Sequence, residues 1–315
     1  MDDMEKTPFI PEGAPDDPAA APGLSRAAMR RTFSLMALGL CLGGLISQLI
    51  PSVLVLIIPG FDIQAHAFLV GSLCTWLFTL PVMLLLTRRF PARQPEKHAL
   101  SVGGFLALVS ISYAGMVLGN LAGILVNSLI SPGSVELVNQ LATATGASAE
   151  LFITFVVLGP IAEELVFRKV LVDKVLPCGE WPAILFSGVC FGLFHGNLTQ
   201  FFYTTLLGMI LAYVYIRTGR ILYTIGIHAC INFMGGVLPL LFPAAAYGVM
   251  LVAVAGIALF IVLRRDIHVA RNAVPGVGGA MFGNAGMILF LLLSGLLMAL
   301  VAVAMNHPEL TQMMQ

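Results

Sequence analysis

The sequence predicts an all-α protein, a polytopic transmembrane helix bundle of about eight to nine spans. Three observations carry that prediction. Hydrophobic residues make up 58% of the 315-residue chain and charged residues only 10%, where soluble domains carry about 25% charged residues; mean hydropathy is +0.96. Several nearly uncharged apolar stretches reach the roughly 18 residues needed to cross a hydrocarbon core as a helix. Alternating barrel-strand patterning is absent, and the helix is the other structure that satisfies every backbone polar group in lipid.

The elements follow in order along the chain. Residues 1–25 hold six of the sixteen carboxylates with many Pro and Ala and no periodicity; such a composition cannot bury a core, and a disordered cytoplasmic tail is expected. The first hydrophobic run begins near Phe33 and is too long for a signal-peptide core, so a span is expected there. Spans are predicted at 32–58, 66–87, 99–130, 147–175, 182–196, 200–216, 221–239, 243–263 and 284–305. Nine crossings follow, or eight if the short segment 182–196 is re-entrant.

Cation placement supports this order. Beyond Lys6 in the tail, every Lys and Arg falls in one of five groups: Arg26/Arg30/Arg31, Arg88/Arg89/Arg93/Lys97, Arg168/Lys169/Lys174, Arg217/Arg220 and Arg264/Arg265/Arg271. These are the tail and alternate connections; the intervening connections and the last ten residues carry none. A wrong span count would scatter cations over both sides. By the positive-inside rule the N-terminus is cytoplasmic, and a nine-span chain ends outside.

Composition also excludes some functions. Net formal charge is zero, which gives no case for nucleic acid as a partner. The five cysteines show no CxxC spacing and four sit in apolar runs, as small hydrophobes do. Gly39/Gly43, Gly115/Gly119/Gly123 and Gly188/Gly192/Gly196 are spaced i, i+4, where helices approach closely. His195 lies on the third of these stripes.

A census of polar residues locates the chemistry. Of the carboxylates, only Glu163 and Glu164 lie outside the tail, loops and span ends; of six histidines, only His195 and His228 lie within apolar runs. An ionised group at the bilayer centre costs about 2.5–3.5 kcal/mol or more, so such groups face the bundle interior and mark function. Four ionisable side chains on three spans point to one converging site. Glu164 and Arg168 are i, i+4 and form a neutralising pair. Glu163, rotated about 100° from Glu164, is left available for chemistry. His228 and Asn232 share a helical face; Asn232 either orients the imidazole or joins it in donating to a substrate oxygen.

A carboxylate beside imidazoles in a dry pocket suits activation of water, with His and Asn donors on the resulting oxyanion. No serine or cysteine stands out as a nucleophile; Cys190 reads as packing. Glu163, His195 and His228 are equally plausible zinc ligands with an open water position. Residue types leave both readings open, so the cofactor is none or Zn.

Three motifs carry a resemblance to a family. Glu163-Glu164-x-x-x-Arg168, Phe191-Gly-Leu-Phe-His195 and His228-Ala-Cys-Ile-Asn232 stand in order on successive membrane helices. Together they resemble the EExxxR, FxxxH and HxxxN pattern of the CPBP family, the CAAX-protease and bacteriocin-processing membrane endopeptidases also called Abi. The resemblance covers about residues 147–240. It implies a catalytic core there, with N-terminal transmembrane helices over 32–146 and C-terminal ones over 241–315. It further implies that Glu163 and His195 activate water, that His228 and Asn232 stabilise the oxyanion, and that Glu164 and Arg168, with Phe191, support the site. The family has been described both as metalloproteases and as metal-free glutamate-dependent enzymes. The implied partners are a peptide or membrane-protein substrate and the lipid bilayer, and the implied location is a bacterial plasma membrane.

Depth tests the convergence. At 1.5 Å per residue, His228 lies about 12 Å from Arg220 and Glu163 five residues from Arg168, both in or near the cytoplasmic half. His195 is about 21 Å from Trp181, so span 182–196 must tilt strongly or start sunk in the membrane. Two other readings compete: a proton-coupled transporter, against which the lack of an internal repeat counts, and a non-catalytic scaffold or immunity protein that keeps the motifs.

Overall fold

The computed structural model describes residues 25–60, 62–130, 148–270 and 273–306. The expected tail lies outside these residues apart from Ser25, whose hydroxyl accepts from Ala28 N at 3.1 Å and caps the first helix. Among the described residues every regular element is helical.

We number ten helices. They are α1 (Arg26–Ile57), α2 (63–87), α3 (Val102–Ile130), α4 (149–178), α5 (Glu180–Phe194), α6 (Leu198–Thr218), α7 (Ile221–Leu241), α8 (Ala245–Leu263), α9 (Val277–Phe282) and α10 (Ala285–Asn306). All nine predicted spans have a helix within a few residues of the expected bounds; α9, inside the last connection, was not foreseen. Among the described residues seven helices are long and apolar enough to cross a membrane: α1, α2 from Phe68, α3, α6, α7, α8 and α10 to Val303. The two remaining predicted spans, α4 and α5, are special. α4 carries Glu163, Glu164, Arg168 and Lys169 along its middle. α5 has 15 residues, which is about 22 Å of helix, short of a roughly 30 Å core.

α5 and α6 form a hairpin turned at His195-Gly196-Asn197. Gly196 adopts φ +59°, a left-handed conformation that suits glycine, and the Asn197 side chain accepts from Thr199 N and Gln200 N to cap α6. α6 packs against α3 on one side and α5 on the other. Small residues make both contacts possible: a Cβ on Gly188 or Gly192 would meet backbone of α6 at Thr205 or Phe201, and one on Gly119 would meet Tyr203. The glycine ladders are packing devices.

The cationic end of the bundle is tied together by its connections. After α2, the segment 88–101 runs without regular structure, and Arg93 N donates to Asp173 O at 2.8 Å and His98 N to Thr218 O at 2.9 Å. Lys174 Nζ reaches Phe90 O at 2.7 Å. After α8, Ala270 N donates to Glu180 Oε2 at 2.9 Å and Val274 N to Cys178 O at 3.0 Å. Arg217, buried at the end of α6, donates to the Glu180 carboxylate and to the His268 carbonyl. The start of α5 is therefore tied to the segment that follows α8. Next to this end Phe33, Phe167, Leu171, Phe186 and Tyr215 are fully buried.

Candidate active site

A cavity of about 240 Å³ opens among α1, α2, α4, α5, α6 and α7, and Glu163, His195, His228 and Asn232 all line it. The convergence expected from the polar census is present. α4 supplies the acids, the end of α5 supplies His195, and α7 supplies His228 and Asn232 one turn apart.

Glu164 is fully buried beside the cavity. Its Oε1 lies 3.1 Å from Arg168 Nη1, the expected i, i+4 pair, in a geometry that is ionic without being a hydrogen bond. Arg168 is equally buried; its Nη2 donates to Gly208 O at 3.3 Å and its guanidinium sits 4.7 Å from the centre of the Phe191 ring. Lys169 pairs with Asp173 at 3.1 Å, so neither acid of the motif is spent on it. The same Oε1 of Glu164 also lies 2.9 Å from His228 Nδ1. Sequence reasoning missed this second contact. The local pair with Arg168 already accounted for Glu164, and residue numbers carry no information on how α4 is rotated against α7.

That contact orients the His228 ring. With Nδ1–H donated to Glu164, Nε2 is directed at Glu163, whose Oε2 is 3.6 Å away. A carboxylate on the far nitrogen of an imidazole sets the tautomer and the direction of the near one. Asn232 does not orient the ring; its Nδ2 donates to Phe155 O at 2.8 Å. Asn232 also lines the cavity. Glu163 is 22% exposed at its side chain and is the carboxylate that meets cavity space.

His195 is fixed from behind. Its Nδ1 lies 2.8 Å from Phe191 O, one turn back on α5. A carbonyl only accepts, so Nδ1 carries the proton and the neutral ring presents an Nε2 lone pair. Phe191 holds the two rings together, edge-on to His195 at 4.8 Å and to His228 at 5.7 Å between centroids. The phenylalanine of the second motif is thus the common wall of both imidazoles.

Four π-helical segments border this site: Thr75–Thr79, Phe152–Leu158, Leu165–Val172 and Phe233–Val237. Thr75, Thr154 and Phe155 line the cavity, while the third segment starts just after Glu164 and the fourth just after Asn232. π turns inserted in α-helices recur at functional sites. Nothing in the hydrophobic pattern marks them, and Gln200, Tyr203 and Thr204, which line the wall on α6, also went unread because their residue types are unremarkable in a span.

The metal reading has a geometric test. Among the described residues no three His, Cys, Asp or Glu side chains converge as a metal site. Committing Nδ1 of His228 to Glu164 and Nδ1 of His195 to Phe191 O leaves Nε2 of each ring, as a ligating imidazole also does. The five cysteines are unpaired and, Cys230 apart, buried.

Residues 145–234 match the family model of type II CAAX prenyl endopeptidases, Rce1-like. The matched segment runs from α4 into α7 and holds all three motifs. The core of the chain is Rce1-like in sequence. A protein of Bacillus subtilis (strain 168) assigned as membrane peptidase YdiL is 28% identical over 185 residues, covering 55% of this chain and 73% of the relative. Human CAAX prenyl protease 2 is 32% identical over 100 residues, covering 25% of this chain and 30% of that protein. No solved structure matches the chain. The family resemblance read from the motifs holds, and the Rce1-like core with its relatives supports a membrane endopeptidase of the CAAX-protease type.

Proposed function

We propose that the protein is an intramembrane endopeptidase that hydrolyses a peptide bond of a membrane-associated protein or peptide with water activated by Glu163 and His195. The observation that carries this reading is the opening of one cavity onto Glu163, His195, His228 and Asn232. A water beside Glu163 loses its proton to the carboxylate or to the free Nε2 of His195 and attacks the scissile carbonyl carbon. The carbonyl oxygen becomes an oxyanion, and the second N–H of Asn232 and the Nε2 of a protonated His228 donate to it. Collapse of the tetrahedral adduct breaks the C–N bond, and the proton held by Glu163 or His195 passes to the leaving amine. Glu164 and Arg168 hold His228 in register throughout.

Residues 147–240 then form the catalytic core, flanked by transmembrane helices over 32–146 and 241–315, with a cytoplasmic tail at 1–25. The N-terminus faces the cytoplasm of a bacterial cell, as the cation distribution favours. The test is cleavage of peptide libraries by purified protein. Wild type is expected to cut and Glu163→Ala and His195→Ala to lose cutting; full activity in Glu163→Ala would overturn the mechanism.

A further inference from the structure

A second cavity, of about 380 Å³, lies on the flank of the bundle and shares no lining residue with the first. It is formed by α3, α5, α6, α8 and the segment that follows α8. None of its lining side chains is charged, and only Trp181 and Tyr213 carry a nitrogen or an oxygen. It is open along the outside of the bundle: Leu118, Trp181, Leu206 and Phe260 all line it and are each 41–51% exposed. An apolar space of this kind stays dry and takes an apolar ligand.

The groove has a direction. On α3 its lining runs from Leu108 to Leu118, about 15 Å of helix, which is one leaflet of a roughly 30 Å core. Its two residues with polar tips stand at the cationic end. Trp181 is the second residue of α5, and Tyr213 lies one turn before Arg217, whose guanidinium sits 5.3 Å from the centre of the Tyr213 ring. Ile267 and Val269, from the segment after α8, line the same end. On α8 the groove face continues into a cation. Ile257 and Phe260 line the groove, and Arg264, four residues after Phe260 and still helical at φ −56° and ψ −24°, extends their stripe. Arg264 is exposed and forms no ion pair among the described residues. Arg265 and Asp266 beside it leave that turn with a net positive charge.

We infer that this groove binds one anionic phospholipid of the leaflet at the cationic end, with an acyl chain lodged among α3, α6 and α8 and its phosphate against Arg264. Both parts of the molecule are matched. A lipid tail fills apolar volume whose walls would otherwise lose packing contacts, and cations at the ends of membrane helices draw anionic headgroups. Trp181 stands at headgroup level, where tryptophan is favoured. The inference does not depend on peptide cleavage.

Thermal unfolding of the full-length chain in detergent tests it, titrated with phosphatidylglycerol or with phosphatidylcholine of the same acyl chains. Phosphatidylglycerol is expected to raise the unfolding temperature saturably, and phosphatidylcholine to need a higher concentration for the same rise. Arg264→Gln should weaken the phosphatidylglycerol response by roughly fivefold, the worth of one cation at an anionic surface, and leave the phosphatidylcholine response unchanged. Arg89→Gln, which removes an exposed cation from the connection after α2, should change neither. Ile257→Trp fills the groove and should remove the response to both lipids; if that variant does not fold, the two arginine variants still decide. Equal responses to the two lipids, equal losses in the two arginine variants, or a folded Ile257→Trp protein that responds as wild type does would each overturn the inference. So would the lack of any saturable response, as when a second copy of the chain covers the groove.

Discussion

Replacing Glu164 by Gln is expected to destabilise the protein and silence it together. Glu164 Oε1 is shared by Arg168 Nη1 at 3.1 Å and His228 Nδ1 at 2.9 Å, and all three side chains are almost completely buried. Removing the charge leaves the Arg168 guanidinium with the Gly208 carbonyl, the Phe191 ring and the more distant Glu163 carboxylate. Breaking a buried ion pair from one side costs about 3–5 kcal/mol, because the surviving charge is uncompensated. Arg168→Met alone strands the carboxylate and should cost a similar amount. In the double variant both charges are gone, so its loss should fall well below the sum of the single ones, a coupling of about 1 kcal/mol or more. Thermal unfolding of the purified chain in one detergent reads all four forms. The double variant should stay inactive, since His228 has lost its partner, and so separates stability from positioning. Additive single losses, or a Glu164→Gln protein that melts and cleaves like wild type, would refute the account of a shared oxygen.

Other expectations follow from the same geometry. Glu163→Gln should lower the cleavage rate by about 10²–10⁴-fold, the range for a general base, with an unfolding temperature close to wild type because this carboxylate faces the cavity. Asn232→Ala should lower kcat by about 10²–10³-fold, as loss of one oxyanion donor does, and leave KM nearly unchanged; an effect confined to KM would move Asn232 to substrate binding. Cleavage should survive prolonged treatment with a metal chelator, and loss that zinc alone restores would return Glu163, His195 and His228 to the role of ligands. Gly192→Val should lower thermal stability, since its Cβ would lie 2.9 Å from Phe201 O and closer still to the Thr205 hydroxyl, forcing α5 and α6 apart.

The fold was legible because lipid imposes a rule that sequence can be checked against. Apolar length gives the spans and cation alternation orders them, so all nine expected spans met a helix. What the sequence hides is how a helix departs from regularity. α5 is legible as short, yet its anchoring at Glu180, tied to Arg217 and to the backbone at Ala270, is not. Such links join connections to helix ends far apart in the chain, and no periodicity announces them. The four π segments are hidden for the same reason: a change in backbone hydrogen bonding leaves the apolar pattern intact.

At the site the limit is rotational. Spacing along one helix fixes which side chains share a face, which is how Glu163 was separated from Glu164 and how Glu164 was paired with Arg168. Spacing cannot say what the neighbouring helix presents to that face, and there the most consequential contact lies, between Glu164 and His228. It changes the meaning of the doubled acid. The carboxylate at 164 is held through Oε1 by an arginine on its own helix and through the same oxygen holds an imidazole on another, with no cavity beside it. The carboxylate at 163 lies across the same imidazole, at 3.6 Å from the opposite nitrogen, with cavity beside it. In the proposed mechanism two adjacent acids divide the work, because one side chain cannot both clamp His228 from behind and meet water in front of it; consecutive residues on a helix, about 100° apart, put one carboxylate on each side.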